Sequence, residues 1–176
     1  MRILALEPYY GGSHKAFLDG WTAISKHEWT LLHLPPYKWK WRMRHSAVTF
    51  ADQVRRLASE GQSWDVIFCS DILNLAEFLG LAPRAVQALP AILYFHENQL
   101  TYPVRFESER DYQFAVTNMT SALAAASVWF SETKRSCTHR APMPSEDAAE
   151  ENPDLCESCG RLDGSMTRIR RTFSRR

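Results

Sequence analysis

The sequence predicts an α/β protein built on a doubly wound parallel sheet, and three observations lead there. Short aliphatic and aromatic runs recur along residues 1–130 and are apolar on both faces, as strands covered by helices should be. Stretches of helical period separate these runs, and strand alternating with helix implies right-handed crossovers between parallel strands. The polar clusters fall directly after the apolar runs, at the edge where open α/β sheets bind their ligands.

The strands are read as RILAL (Arg2 to Leu6), WTLLHL (Trp29 to Leu34), DVIFCS (Asp65 to Ser70), AILYF (Ala91 to Phe95) and SVWF (Ser127 to Phe130). The first helix places Phe17, Leu18, Trp21 and Ile24 on one face, and a second, after Ser46, places Ala47, Phe50, Ala51, Val54, Leu57 and Ala58 there. A third runs from about Leu73 to Leu79 and stops near Gly80 and Pro83. A longer one spans about Asp111 to Ala126 with Phe114, Ala115, Met119, Ala122 and Leu123 inward. After Phe130 no periodic apolar segment is evident, and charge separates into an acidic block (Glu146 to Glu157) and a basic one (Arg161 to Arg176). Such a segment buries too little apolar surface to offset its ordering entropy, so residues 131–176 are expected to be a disordered tail behind one folded domain at 1–130.

The chain has 176 residues, 45% of them hydrophobic, which is enough for one domain with a core. A net charge of +1 gives no bulk attraction to a polyanion, so any nucleic-acid surface must be a local patch. Glu7, Gly11, Gly12, His14 and Lys15 interrupt the amino terminus, which therefore lacks the apolar core of a secretory signal, and no apolar run approaches the roughly 20 residues that span a bilayer. A cytoplasmic or nuclear location is expected. Cys69 lies in an apolar run and reads as a core residue, and disulfides are not expected in that compartment.

The predicted carboxyl edge carries EPYYGGSHK (Glu7 to Lys15), PPYKWKWRMRH (Pro35 to His45), Ser70 with Asp71, and HENQL (His96 to Leu100). GGSHK opens the first helix, where glycines let the backbone approach a ligand and free N–H groups favour an anion; the alternative is a tight turn with Ser13 as N-cap. HENQ joins a histidine, a carboxylate and two amides, a set suited to a polyhydroxylated or nucleotide ligand; the alternative is a capping surface turn. In YKWKWRMRH, rings and thioether alternate with cations. Pro35 and Pro36 argue for a loop rising from the second strand, with rings for bases and cations for phosphates; the alternatives are a strand, a helix-initiating loop whose aromatics pack, or internal cation–π contacts. Cys137, His139, Cys156 and Cys159 match no common zinc spacing.

ILALEPYYGGSHKAF, LPPYKWKWRMR and YFHENQLTYP together resemble the amino-terminal domain of the tRNA-queuosine α-mannosyltransferase family, over about residues 1–130. The resemblance implies a Rossmann-like parallel sheet, the amino-terminal half of a retaining GT-B glycosyltransferase, and transfer of mannose from GDP-mannose to queuosine in a tRNA anticodon. It implies no metal, no cofactor beyond that donor substrate, and no membrane. By the same resemblance Gly11, Gly12, Ser13 and His14 face the donor, and His96 with Glu97 forms the catalytic pair. Lys15, Lys38, Trp39, Lys40, Trp41, Arg42, Arg44, Asn98 and Gln99 would then meet the tRNA. The family's second, donor-binding domain has no counterpart in these residues, so the chain alone is expected to be weakly active or inactive. The alternative is a non-catalytic tRNA-binding or regulatory module.

Overall fold

The computed structural model describes residues 1–97, 111–131 and 166–170. Strands β1 (Arg2–Glu7), β2 (Glu28–His33), β3 (Val66–Ser70), β4 (Ala91–Phe95) and β5 (Ser127–Ser131) form a parallel sheet, with helices α1 (Gly12–Ile24), α2 (Trp39–Ser59), α3 (Leu75–Leu81), α4 (Arg84–Gln87) and α5 (Tyr112–Ala124) between them. A sixth strand, β6 (Met166–Arg170), completes the order β2-β1-β3-β4-β5-β6 and pairs antiparallel with β5. This is the Rossmann-like, doubly wound sheet that the alternation predicts.

Period-two alternation explains why the central strands are apolar throughout. Leu4 and Leu6 of β1 join Ile67, Cys69, Leu93 and Phe95 on one face, against Ala47, Phe50, Ala51 and Val54 of α2 and Phe78 of α3. Ile3 and Ala5 turn to the other face, where α1 lays Phe17, Leu18 and Trp21 over Val66, Phe68, Trp29 and Tyr94. Phe17 stacks on Tyr94 with ring centroids 4.3 Å apart, so this second layer is largely aromatic. Burial pushes the Cys69 thiol up, consistent with a core residue.

Several sequence expectations are corrected. The second helix begins at Trp39, so most of the basic aromatic stretch is helix and not loop. The third helix starts two residues later than expected, at Leu75, because Asn74 caps it: the Asn74 side chain accepts from the Glu77 N–H at 3.2 Å. Ile24 of α1, and Met119 and Leu123 of α5, are exposed despite their apolar character. The amphipathic face of each helix is narrower than its hydrophobic pattern suggested. The absence of a periodic segment beyond Phe130 did not exclude a strand, because Met166–Arg170 needs only main-chain groups to complete the open edge of β5. The rest of the proposed disordered tail, with Cys137, His139, Cys156 and Cys159, lies outside the described residues.

Because the chain goes from β1 to β2 on one side and crosses to β3 on the other, the topological switch point lies between β1 and β3. Glu7 ends β1, Ser70 ends β3, and the candidate site sits there.

Candidate functional site

Glu7 is a carboxyl at the end of an otherwise apolar strand and is 1% exposed. Burial of such a group requires partners. One oxygen, Oε1, accepts from the backbone N–H of Tyr9 at 2.8 Å and from the Ser70 hydroxyl at 3.0 Å, which ties the two strands flanking the switch point together. The other, Oε2, lies 3.2 Å from Nδ1 of buried His14, in the first turn of α1. The His14 ring in turn stacks on that of His96, just past β4, with centroids 3.8 Å apart. The edges of Phe17 and Tyr94 close around His96 at 5.5 and 4.7 Å.

Asp71 forms the floor. It is fully buried, its Oδ1 accepts the His96 backbone N–H at 3.1 Å, and its own carbonyl accepts from Asn118 Nδ2 at 2.8 Å. Its Oδ2 has no hydrogen-bond partner among the described residues.

The electrostatics differ sharply between neighbours. Burial works against a proton on His14, but the hydrogen bond to Glu7 and the charges of Glu7, Asp71 and Glu97 outweigh it and raise the imidazole above its usual value. Burial, reinforced by the positive His14 beside it, lowers His96 to about 3. Burial pushes Asp71 up to about 7, against the opposing influence of His14 and the His96 N–H. Desolvation also raises Glu97, at the exposed rim. An imidazole whose proton is favoured and one held neutral therefore lie face to face at the sheet's carboxyl edge. Glu7, His14 and His96 bring ligand-type atoms within 4.8 Å of one another. In this structure Glu7 Oε2 and His14 Nδ1 are engaged with each other, and the two imidazole rings stack.

The glycine loop beside it has a different basis at each position. A Cβ on Gly11 would fall against Cβ of Pro36 and within 2.6 Å of its Cγ, so Gly11 is required by the close packing of two loops. Gly12 has φ +52 and open space around it, so its requirement is conformational. Gly11 is the N-cap of α1, with no side-chain cap and no acidic residue in the first turn. Ser13 lies inside the helix and is not its cap. Among the described residues no N-cap side chain accepts from the first N–H groups of α1, an arrangement that favours an anion.

The basic aromatic stretch divides by helical period. Lys38 adopts a left-handed φ of 51 as N-cap of α2. Tyr37 and Trp41 are 55% and 59% exposed, and Lys38, Lys40 and Arg44 are exposed with them. Arg44 donates to Gln113 of α5 at 3.1 Å. Trp39 turns inward against Phe114, joining Met43 and Ile72 in a small third cluster. Arg42 is buried: it donates to the Pro35 carbonyl at 3.2 Å, contacts His45 at 3.1 Å and lies 4.4 Å from the Tyr37 ring centre. Lys15, on the exposed side of α1, pairs with Asp19.

The fold thus brings His14, His96 and Glu97 together beside the start of α1, and turns Lys38, Lys40, Trp41 and Arg44 outward on α2. Trp39 and Arg42 are packed inside, and Asn98 and Gln99 lie outside the described residues. The sequence placed Glu7 and Asp71 at this edge without assigning them a part. The signal available was a carboxyl closing an apolar strand in RILALE, and another directly following VIFCS.

Residues 2–142 match the family model described as tRNA-queuosine alpha-mannosyltransferase N-terminal. The Drosophila melanogaster protein named tRNA-queuosine alpha-mannosyltransferase is 43% identical over 129 residues, which is 73% of this chain and 33% of that protein. The chain therefore spans about a third of the length of this curated relative. No solved structure matches the chain. With four fifths of its residues matched by the family model, the chain belongs to the tRNA-queuosine alpha-mannosyltransferase N-terminal family.

Proposed function

We propose that this chain is the amino-terminal, Rossmann-like half of a retaining GT-B glycosyltransferase whose reaction moves mannose from GDP-mannose to queuosine in a tRNA anticodon. The observation that carries this reading is the sharing of one sheet edge by three features. These are an uncapped helix start, a paired imidazole site and an outward basic aromatic helix start. The α1 N–H groups and His14, whose proton the neighbouring carboxylates favour, suit a diphosphate, because fixed donors cost no reorganisation as charge grows on the leaving phosphate. His96, uncharged at neutral pH, suits sugar hydroxyls, which need both donors and acceptors. Glu97 lines the same rim. The departing diphosphate takes the acceptor proton, so the protein chiefly orients the pair. Tyr37, Trp41, Lys38, Lys40 and Arg44 suit an anticodon loop, rings against unstacked bases and cations against phosphates. Since the chain spans a third of its relative, it is weakly active or inactive alone.

Incubating the 176-residue chain with queuosine-containing tRNA and labelled GDP-mannose, beside a full-length family member, tests this. The expected result is label on tRNA with the full-length enzyme and little or none with the chain. Turnover by the chain at the full-length rate would overturn the half-site reading.

The exposed Trp41 and its flanking cations favour a second reading, a tRNA-binding or regulatory module without catalysis. It predicts tRNA affinity that falls steeply with salt. Affinity that is absent at low salt would dismiss it.

A further inference from the structure

We propose that Glu7 is a positioning residue that fixes the His14 ring beneath that of His96 and favours a proton on it, so that His14 and His96 take different parts; this rests on the functional reading above. Geometry carries it. Glu7 is locked by three contacts from three different segments: the Tyr9 N–H, the Ser70 hydroxyl and His14 Nδ1. Its remaining oxygen is therefore aimed at one nitrogen. His14 cannot turn away without breaking the stack on His96 at 3.8 Å and the edge contact with Tyr9 at 5.9 Å. Around His14, the groups that face it are Glu7 from β1, Tyr9 from the following loop, Asp71 from the end of β3, and His96 with Glu97 from the end of β4. Around His96, among the described residues, the groups are His14, the Asp71 carboxyl on its backbone N–H, and the uncharged rings of Phe17 and Tyr94. Among the described residues, negative groups thus converge on His14, and the His14 ring is the group stacked on the His96 imidazole. Two identical side chains are pushed in opposite directions by their surroundings, which divides an anion-facing part from a hydroxyl-facing part.

The test is a histidine-nitrogen NMR titration of the full 176-residue chain from pH 4 to 9, with His14→Gln and His96→Gln used for assignment. His14 should titrate above its ordinary value in the wild type, and His96 should remain neutral down to pH 4. Glu7→Gln keeps the shape and hydrogen-bonding oxygen but removes the charge, and should lower the His14 midpoint by at least about one pH unit. Ser70→Ala, which removes a contact to Glu7 but no charge, should leave His14 within a few tenths of a unit. In His14→Gln, His96 should titrate higher than in the wild type. An unmoved His14 in Glu7→Gln, equal shifts in both variants, or a wild-type His96 titrating in the usual histidine range would overturn the proposal. If Glu7→Gln does not fold, a wild-type His14 titrating at or below its ordinary value, or a His96 in the usual histidine range, still overturns the proposal. None of these readings needs sugar or RNA, so failure of mannose transfer and failure of this proposal are separately visible.

Discussion

Asp71 accepts the backbone N–H of His96 through one carboxyl oxygen, at 3.1 Å, while its other oxygen is buried without a partner among the described residues. The contact joins the end of β3 to the end of β4 and sets where His96 leaves the sheet. It also leaves one buried carboxyl oxygen without a hydrogen bond among the described residues, with the nearby His14 as a favourable but insufficient charge.

Stability should therefore respond to pH through Asp71. Its carboxyl is raised to about 7 in the fold, so the folded chain keeps a proton that the unfolded chain releases. Its stabilising influence is full below the unfolded value and is lost as pH rises toward 7. His96, lowered to about 3, acts oppositely, losing stability as pH falls below its ordinary value. Asp71→Asn isolates the first effect. Its stability relative to wild type should improve by on the order of 2 kcal/mol from pH 5 to pH 8. Urea unfolding at both pH values measures this, and a pH-independent difference would refute it.

The adjacent glycines should fail for different reasons. Gly11→Ala drives a methyl into Pro36 and should cost about 1–3 kcal/mol, with displacement of the β2–α2 loop. Gly12→Ala meets no atom but holds a left-handed φ, and should cost about 1–2 kcal/mol without moving that loop. Thermal unfolding gives the losses, and amide shifts of Tyr37 and Lys38 distinguish the mechanisms.

Arg42 and Trp41 should behave in opposite ways although they are neighbours. Arg42→Ala removes the donor to the Pro35 carbonyl and should cost about 1–3 kcal/mol of stability. Trp41→Ala should change stability by less than about 0.5 kcal/mol. It should, however, weaken binding of an anticodon stem-loop by about 1–3 kcal/mol if a base stacks there. Calorimetry and fluorescence anisotropy on the two variants separate packing from recognition.

The cations of the same surface should reveal themselves through salt. Replacing Lys38, Lys40 and Arg44 together by Ala should reduce the dependence of log affinity on log salt by about 0.7 per lost phosphate contact. A slope equal to wild type would mean that these exposed groups do not meet the RNA backbone.

What the sequence by itself determined is the sheet. Five apolar runs separated by helical stretches leave few arrangements that bury both faces of each strand, and every one of those runs became a parallel strand within one or two residues. The carboxyl edge followed from the topology, so EPYYGGSHK and HENQ could be placed there before any contact was known. Pro35 and Pro36 argue for a loop through YKWKWRMRH, yet most of it is helix, because the prolines mark only where the second strand ends. Here Phe114, Met43 and Ile72 offered a pocket to Trp39 at helical spacing, and that packing set the helix start. Only the tertiary structure decided the parts played by Glu7 and Asp71. Their character depends on what reaches them from 63 residues away at Ser70 and 25 residues away at His96. Local spacing carries no record of such contacts, since burial and charge pairing are properties of the assembled edge rather than of either segment.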